Sequence, residues 1–128
     1  MNSVETSTNT KKKLLFVLRH SPYGSSLAKE GIDAILATSV YEQALSVLFI
    51  DDGVFQLSKQ QNSNKIGEKN IYKLLSAFEL YDIDALFACS DSLLERGLHA
   101  TTIFDNVTII NNTEIKQLFS QQHHLLSF

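Results

Sequence analysis

One cysteine, Cys89, stands in the whole sequence, so no internal disulfide can form, and neither a CxxC pair nor a Cys/His set at zinc-ligand spacing is present. A reducing, cytoplasmic setting suits such a chain. A basic surplus is missing too: 11 Lys and Arg stand against 14 Asp and Glu, a formal charge of −3. Proteins that hold nucleic acid chiefly by neutralising phosphates carry a basic face or stripe, so direct RNA or DNA binding is not expected. No run of residues approaches the roughly 20 apolar positions of a membrane-spanning helix. The run Leu14 to Leu18, behind Lys11-Lys12-Lys13, is too short for an export-signal core, and no small-residue cleavage site follows it. The expectation is a protein neither exported nor embedded.

What is present suffices for a core. The 128 residues fit one domain, and 44% hydrophobic with 20% charged residues lies outside the range of disordered chains. Residues 1–11 are polar and predict a disordered tail; the domain is expected over 12–128. Leu14 to Leu18 is apolar without alternation, the pattern of a strand covered on both faces. From Ser26 to about Ser39, Ala28, Ile32, Ile35 and Leu36 recur at spacings of three and four. This predicts a helix whose Gly31, Ala34 and Ala37 permit close packing.

After the polar connection Tyr41-Glu42-Gln43, Leu45 to Ile50 predicts a second buried strand, closed by the turn Asp51-Asp52-Gly53. Ser58 to Lys69 is polar and reads as a loop. Ile71, Leu74, Leu75 and Phe78 fit one amphipathic helix, with Glu68 near its start. A third strand is expected at Ala85 to Ala88, then a helical turn over about Asp91 to Arg96, with capping-box spacing between Ser92 and Glu95 and Gly97 at its end. Val107 to Ile110 predicts a fourth strand, Thr113 to Gln121 a helix, and Leu125, Leu126 and Phe128 a last strand. This alternation predicts an α/β three-layer sandwich, with a mainly parallel sheet of about five strands flanked by helices.

In such sheets functional groups gather at the carboxyl ends of the strands, here the loops at Ser21–Ser25, Asp51–Phe55 and Cys89–Asp91. Cys89, at a strand-to-helix junction, has the placement of a persulfide-carrying thiolate, but the commoner use of such a free cysteine is as a small inert residue at the rim of the core. Asp91 and Glu95 disfavour a thiolate if they point at the sulfur. Asp51-Asp52-Gly53 reads as a polar turn, the alternative being an acidic Mg²⁺ pocket of the kind receiver domains carry. Ser21-Pro22-Tyr23-Gly24-Ser25 lacks the glycine pattern of a nucleotide loop and reads as a tight turn. His20, His123 and His124 have no ligand partners at metal spacing and read as structural or interfacial. No cofactor or metal is expected.

Several stretches resemble the TusC/DsrF family: Leu14 to Val17 leading to Pro22-Tyr23-Gly24, Glu30 to Ser39, Phe49 to Leu57, Leu80 to Ile83, and Cys89 through Glu95-Arg96-Gly97-Leu98. The likeness covers about residues 12–128. It implies a DsrE/F-like fold and assembly with TusB-like and TusD-like subunits into a heterohexamer, a dimer of heterotrimers. In that family the complex passes persulfide sulfur from a TusA-like to a TusE-like carrier, for 2-thiolation of the wobble uridine of tRNA. The TusD-like subunit carries the accepting cysteine at a position similar to that of Cys89. In the TusC/DsrF branch that site is not the essential carrier, and Ser90, Asp91 and Ser92 here replace the small apolar residues of the TusD-like pattern. The resemblance thus implies a structural, partner-binding subunit with Tyr23, Phe55, Tyr81 and Phe104 as candidate partner contacts. The alternative is a sulfurtransferase subunit using Cys89 as a persulfide.

Overall fold

The computed structural model describes residues 12–41, 44–59 and 71–128. Five strands, β1 (Lys13–Leu18), β2 (Ala44–Phe49), β3 (Leu86–Cys89), β4 (Thr108–Ile110) and β5 (His124–Ser127), form one sheet in the order β4-β3-β2-β1-β5. Every pairing is parallel, so the sheet is not merely mainly parallel but wholly so. Among the described residues five α-helices connect them: α1 (Leu27–Ser39), α2 (Ile71–Leu75), α3 (Ala77–Leu80), α4 (Ser90–Glu95) and α5 (Asn112–Ser120). The expected turn at Asp51-Asp52-Gly53 is instead the start of a 3-10 helix over Asp51–Leu57. A shorter 3-10 helix covers Ala100–Thr102.

The strand order decides which face each helix covers. From β1 through β4 the chain steps steadily toward one edge, and right-handed crossovers carry α1 to α4 over a single face. From β4 to β5 it returns across the sheet, so α5 lies on the opposite face. The side chains agree. Phe16, Leu18, Val47, Phe49, Leu86 and Ala88 pack with Ile32 and Ile35 of α1, Leu75, Phe78 and Leu93. Leu15, Val17, Leu48, Cys89 and Ile110 pack with Ile115 and Leu118 of α5. Both faces are therefore buried, which is why the strands read as unbroken apolar runs.

Gly31 lets α1 approach closely: a Cβ there would lie 2.8 Å from Leu18 Cδ2 and 3.1 Å from Phe128 Cβ. Phe128 in turn stacks on Phe16 with ring centroids 6.3 Å apart. The predicted single helix from Ile71 is broken at Ser76 into α2 and α3, although Ile71, Leu75 and Phe78 are buried as the spacing requires. Most of the predicted loop at Ser58 to Lys69, and the polar tail, lie outside the described residues, as do Glu42, Gln43 and Glu68. Among the described residues no helix is long and apolar enough to cross a membrane.

Candidate functional site

At the carboxyl ends of the strands, β3 turns into α4 on one face while β4 turns into α5 on the other. The crevice where connections diverge therefore lies between the loops after Cys89 and Ile110. It is bridged: Asn112 Nδ2 donates to Asp91 Oδ2 at 3.1 Å. Cys89 belongs to β3 as its last residue rather than following it, and is the N-cap of α4. Strand alternation turns its side chain to the α5 face. There it is 3% exposed, in the cluster with Leu15, Val17, Leu48, Ile110, Ile115 and Leu118. A thiol so placed packs as a small hydrophobe.

The expected capping box of Ser92 with Glu95 does not form. α4 begins at Ser90 with no side-chain cap bond, and Ser92 lies within it, 4% exposed. The Ser92 hydroxyl instead accepts from the Asp51 N–H at 2.9 Å, tying α4 to the start of the Asp51–Leu57 helix. Asp51 sits at φ 54°, a left-handed conformation that Asp tolerates better than most residues. A genuine capping box stands at α5, where Asn111 Oδ1 accepts from Glu114 N and Glu114 Oε1 accepts from Asn111 N, each at 2.9 Å. The end of α4 is as predicted, with Gly97 at φ 70°.

The two carboxylates Asp51 and Asp52 do not converge on a metal pocket. Arg19 binds Asp51 Oδ2 at 3.0 Å and Arg96 binds Asp52 Oδ1 at 2.9 Å, so each is drawn to a different cation. Among the described residues no group of three or more His, Cys, Asp or Glu side chains could hold a metal ion. The hydrogen bond to Asp52 holds the Arg96 guanidinium above its ordinary pKa, with burial working against it. Its NH1 also donates to the Ser92 carbonyl at 3.3 Å. Both arginines at this end of the sheet are thus committed to carboxylates.

Gln56 escaped the sequence reading. It is fully buried, and its Nε2 donates to the His20 carbonyl at 2.8 Å, fastening the loop after β1 to the Asp51–Leu57 helix. The loop itself is tight: Ser21 Oγ donates to the Tyr23 carbonyl at 2.9 Å, and Gly24 takes φ 103°. His123 closes the sheet edge, its Nδ1 accepting from Lys13 N and its N–H donating to Lys13 O, both at 2.8 Å. His124 opens β5. Of the aromatics proposed for partner contacts, Tyr81 is 47% exposed, Tyr23 and Phe55 are half-buried, and Phe104 belongs to the core at 7%. Phe104 is buried because its backbone N–H is drawn to Leu57 O, which folds the segment before β4 onto the first face.

Fold and site together define a small parallel α/β sandwich whose strand-end crevice is bridged by side chains and whose cysteine faces the core. The profile of the DsrE/DsrF-like family matches residues 12–128, and the chain belongs to that family. It is similar to the TusC homologue of Vibrio parahaemolyticus, 38% identical over 116 residues, covering 91% of this chain and 98% of that protein. Against Protein TusC of Buchnera aphidicola identity is 39% over 121 residues, with 91% and 99% covered. The crystal structure of the YchN protein from E. coli shares the fold, with a TM-score of 0.79 over 91% of this chain and 99% of that one, at 21% identity.

Proposed function

We propose that this chain is the TusC-like subunit of a cytoplasmic sulfur-relay complex and serves it as a structural, partner-binding component. In this reading it joins TusB-like and TusD-like subunits in a heterohexamer, a dimer of heterotrimers. That complex passes persulfide sulfur from a TusA-like to a TusE-like carrier, toward 2-thiolation of wobble uridine in tRNA. The family membership and the TusC relatives support the assignment to such a complex.

The observation that carries the division of labour is the burial of Cys89. A sulfur relay needs a thiolate that a carrier's persulfide can reach, held by a helix N-terminus of some length or by a nearby cation. Here the thiol is under α5 in an apolar cluster, and Arg19 and Arg96 are engaged by Asp51 and Asp52. The acidic charge balance fits a subunit that serves tRNA modification without holding tRNA.

Co-expression with TusB-like and TusD-like subunits, followed by mass measurement of the assembly and an assay of thiolated tRNA, tests this. Cys89→Ala is the sharper substitution, because serine would place an extra polar hydroxyl among apolar side chains. The expected result is an intact assembly that still supports thiolation. An intact Cys89→Ala assembly without thiolation would make Cys89 a relay thiol, and failure to assemble with either subunit would remove the partner-binding role.

A further inference from the structure

Among the described residues the sheet has two open edges, β4 and β5, and they are not alike. β4 is three residues long, and a very short edge strand offers little for another chain to pair with. The ladder of β5 on β1 continues past Ser127: the Phe128 N–H donates to Val17 O at 2.9 Å, and Phe128 O accepts from Arg19 N at 2.7 Å. All four residues of β5 are exposed, and two of them are leucines, Leu125 at 52% and Leu126 at 38%. The devices that blunt an edge are missing over 124–128, which holds no lysine, arginine, aspartate, glutamate or proline. Nor is there a bulge, since the register runs evenly from Leu14 with His124 to Val17 with Ser127.

The hydrogen bonds to β1 decide which backbone groups are left over. In a parallel ladder a residue turns its N–H and C=O toward the same neighbour, and the next residue turns both away. Phe128 turns both toward β1. By alternation Leu126 and His124 do likewise, and the N–H and C=O of Leu125 and Ser127 point outward, where among the described residues no strand lies. The side chains divide by face. Leu126 is in register with Phe16, on the face that α1 covers, and Leu125 with Leu15, on the face that α5 covers.

We propose that this edge pairs with β5 of a second copy of the chain about a two-fold axis normal to the sheet, joining two five-stranded sheets into one. The outward groups are self-complementary, which favours a second copy over an unrelated strand. A strand that meets its own copy across such an axis runs antiparallel. With Leu126 on the axis, Leu125 comes opposite Ser127 of the second copy, and Ser127 opposite its Leu125. Each couple exchanges both N–H···O bonds, so no outward group of Leu125 or Ser127 is left over. Leu126 meets its own copy in the closer, non-hydrogen-bonded position, and His124 stands opposite Phe128. No acidic or basic pair of like sign is brought together. The pairing uses up the edge, so growth stops at two chains, and the contact is small enough to belong with weak associations. The inference uses nothing of the sulfur-relay reading.

The test is sedimentation of the full chain at about 5 and about 500 μM, where mass action separates a weak dimer from a monomer, with amide hydrogen exchange followed in the same samples. The expected result is a monomer at the lower concentration and a mass approaching two chains at the higher. The Leu125 and Ser127 amides should be protected only in the second sample. Ser127→Pro removes an outward N–H that bonds nothing within the chain, a change an edge strand tolerates, and should weaken the dimer about tenfold or more. Ser127→Ala keeps the N–H and should dimerise as the parent does. Leu126→Lys sets two lysines opposite each other and should give a similar loss by repulsion. A single-chain mass at both concentrations, growth beyond two chains, or an undiminished dimer in either folded variant, Ser127→Pro or Leu126→Lys, would overturn the proposal. So would protection of the Leu125 and Ser127 amides in the monomer, which would mean that another part of the same chain covers the edge.

Discussion

The Ser92 hydroxyl accepts a hydrogen bond from the Asp51 N–H across 2.9 Å, joining two residues 41 positions apart that begin and brace the carboxyl end of the sheet. The donor has few alternatives, because Asp51 is in a left-handed conformation and its N–H cannot join a regular ladder. Ser92→Ala leaves that donor without its partner and is expected to destabilise the chain by about 1–2 kcal/mol. Denaturant unfolding should show a lower midpoint with an unchanged slope. Threonine at 92 keeps an acceptor and should recover part of the loss.

Two glycines separate steric need from backbone conformation. A Cβ on Gly53 would stand 1.9 Å from the Leu18 carbonyl oxygen, so Gly53→Ala must push the Asp51–Leu57 helix off β1. A cost of at least about 2–3 kcal/mol is expected, as for other overpacking of a close contact. At Gly97 a Cβ meets nothing within 4 Å, and the difficulty is φ 70° alone. Gly97→Ala should therefore cost about 1 kcal/mol, the penalty of the left-handed conformation for a residue with a side chain. Thermal unfolding of both variants side by side checks the order.

The elements that were legible in the sequence are those whose signal is local. The unbroken apolar run at Leu14 to Leu18, the three-four spacing from Ala28 to Leu36 and the position of Gly97 each follow from packing or conformation within a few residues. The sandwich class followed from their alternation. The Asp51–Leu57 helix was hidden because Asp-Asp-Gly is a strong turn signal, and a 3-10 segment has no 3.6-residue period to display. Ser92 was misread for a related reason: Ser-x-x-Glu has capping spacing wherever it occurs, and its true partner is distant in sequence. The direction of Cys89 was hidden as well. A strand buried on both faces shows no alternation, so Leu86-Phe87-Ala88-Cys89 does not reveal which face the thiol takes. Family resemblance carried the rest of the functional reading, since no spacing in the chain encodes a partner.

Burial of Cys89 makes its chemistry a measure of opening. Iodoacetamide can reach the sulfur when α5 lifts from the second face, so labelling of the native chain should be slower than labelling in denaturant by about a hundredfold or more. Labelling of the folded chain at a rate near that of the unfolded one would contradict the buried placement.

The same thiol reports on the cap of α5, because α5 is the helix that covers it. Asn111 and Glu114 exchange two hydrogen bonds at the start of that helix, and Ile115 and Leu118 follow directly onto the Cys89 cluster. Asn111→Ala removes the acceptor for Glu114 N, a loss of about 1 kcal/mol at an N-cap, which multiplies the open population about fivefold. If α5 opens without the rest of the fold, Cys89 labelling rises by that factor under native conditions. Glu114→Gln preserves the capping pattern and should leave labelling near the parent rate. Ser92→Ala then discriminates the mode of opening. Its bond lies on the far side of the sheet, so it accelerates labelling only when the thiol is exposed by global unfolding rather than by release of α5.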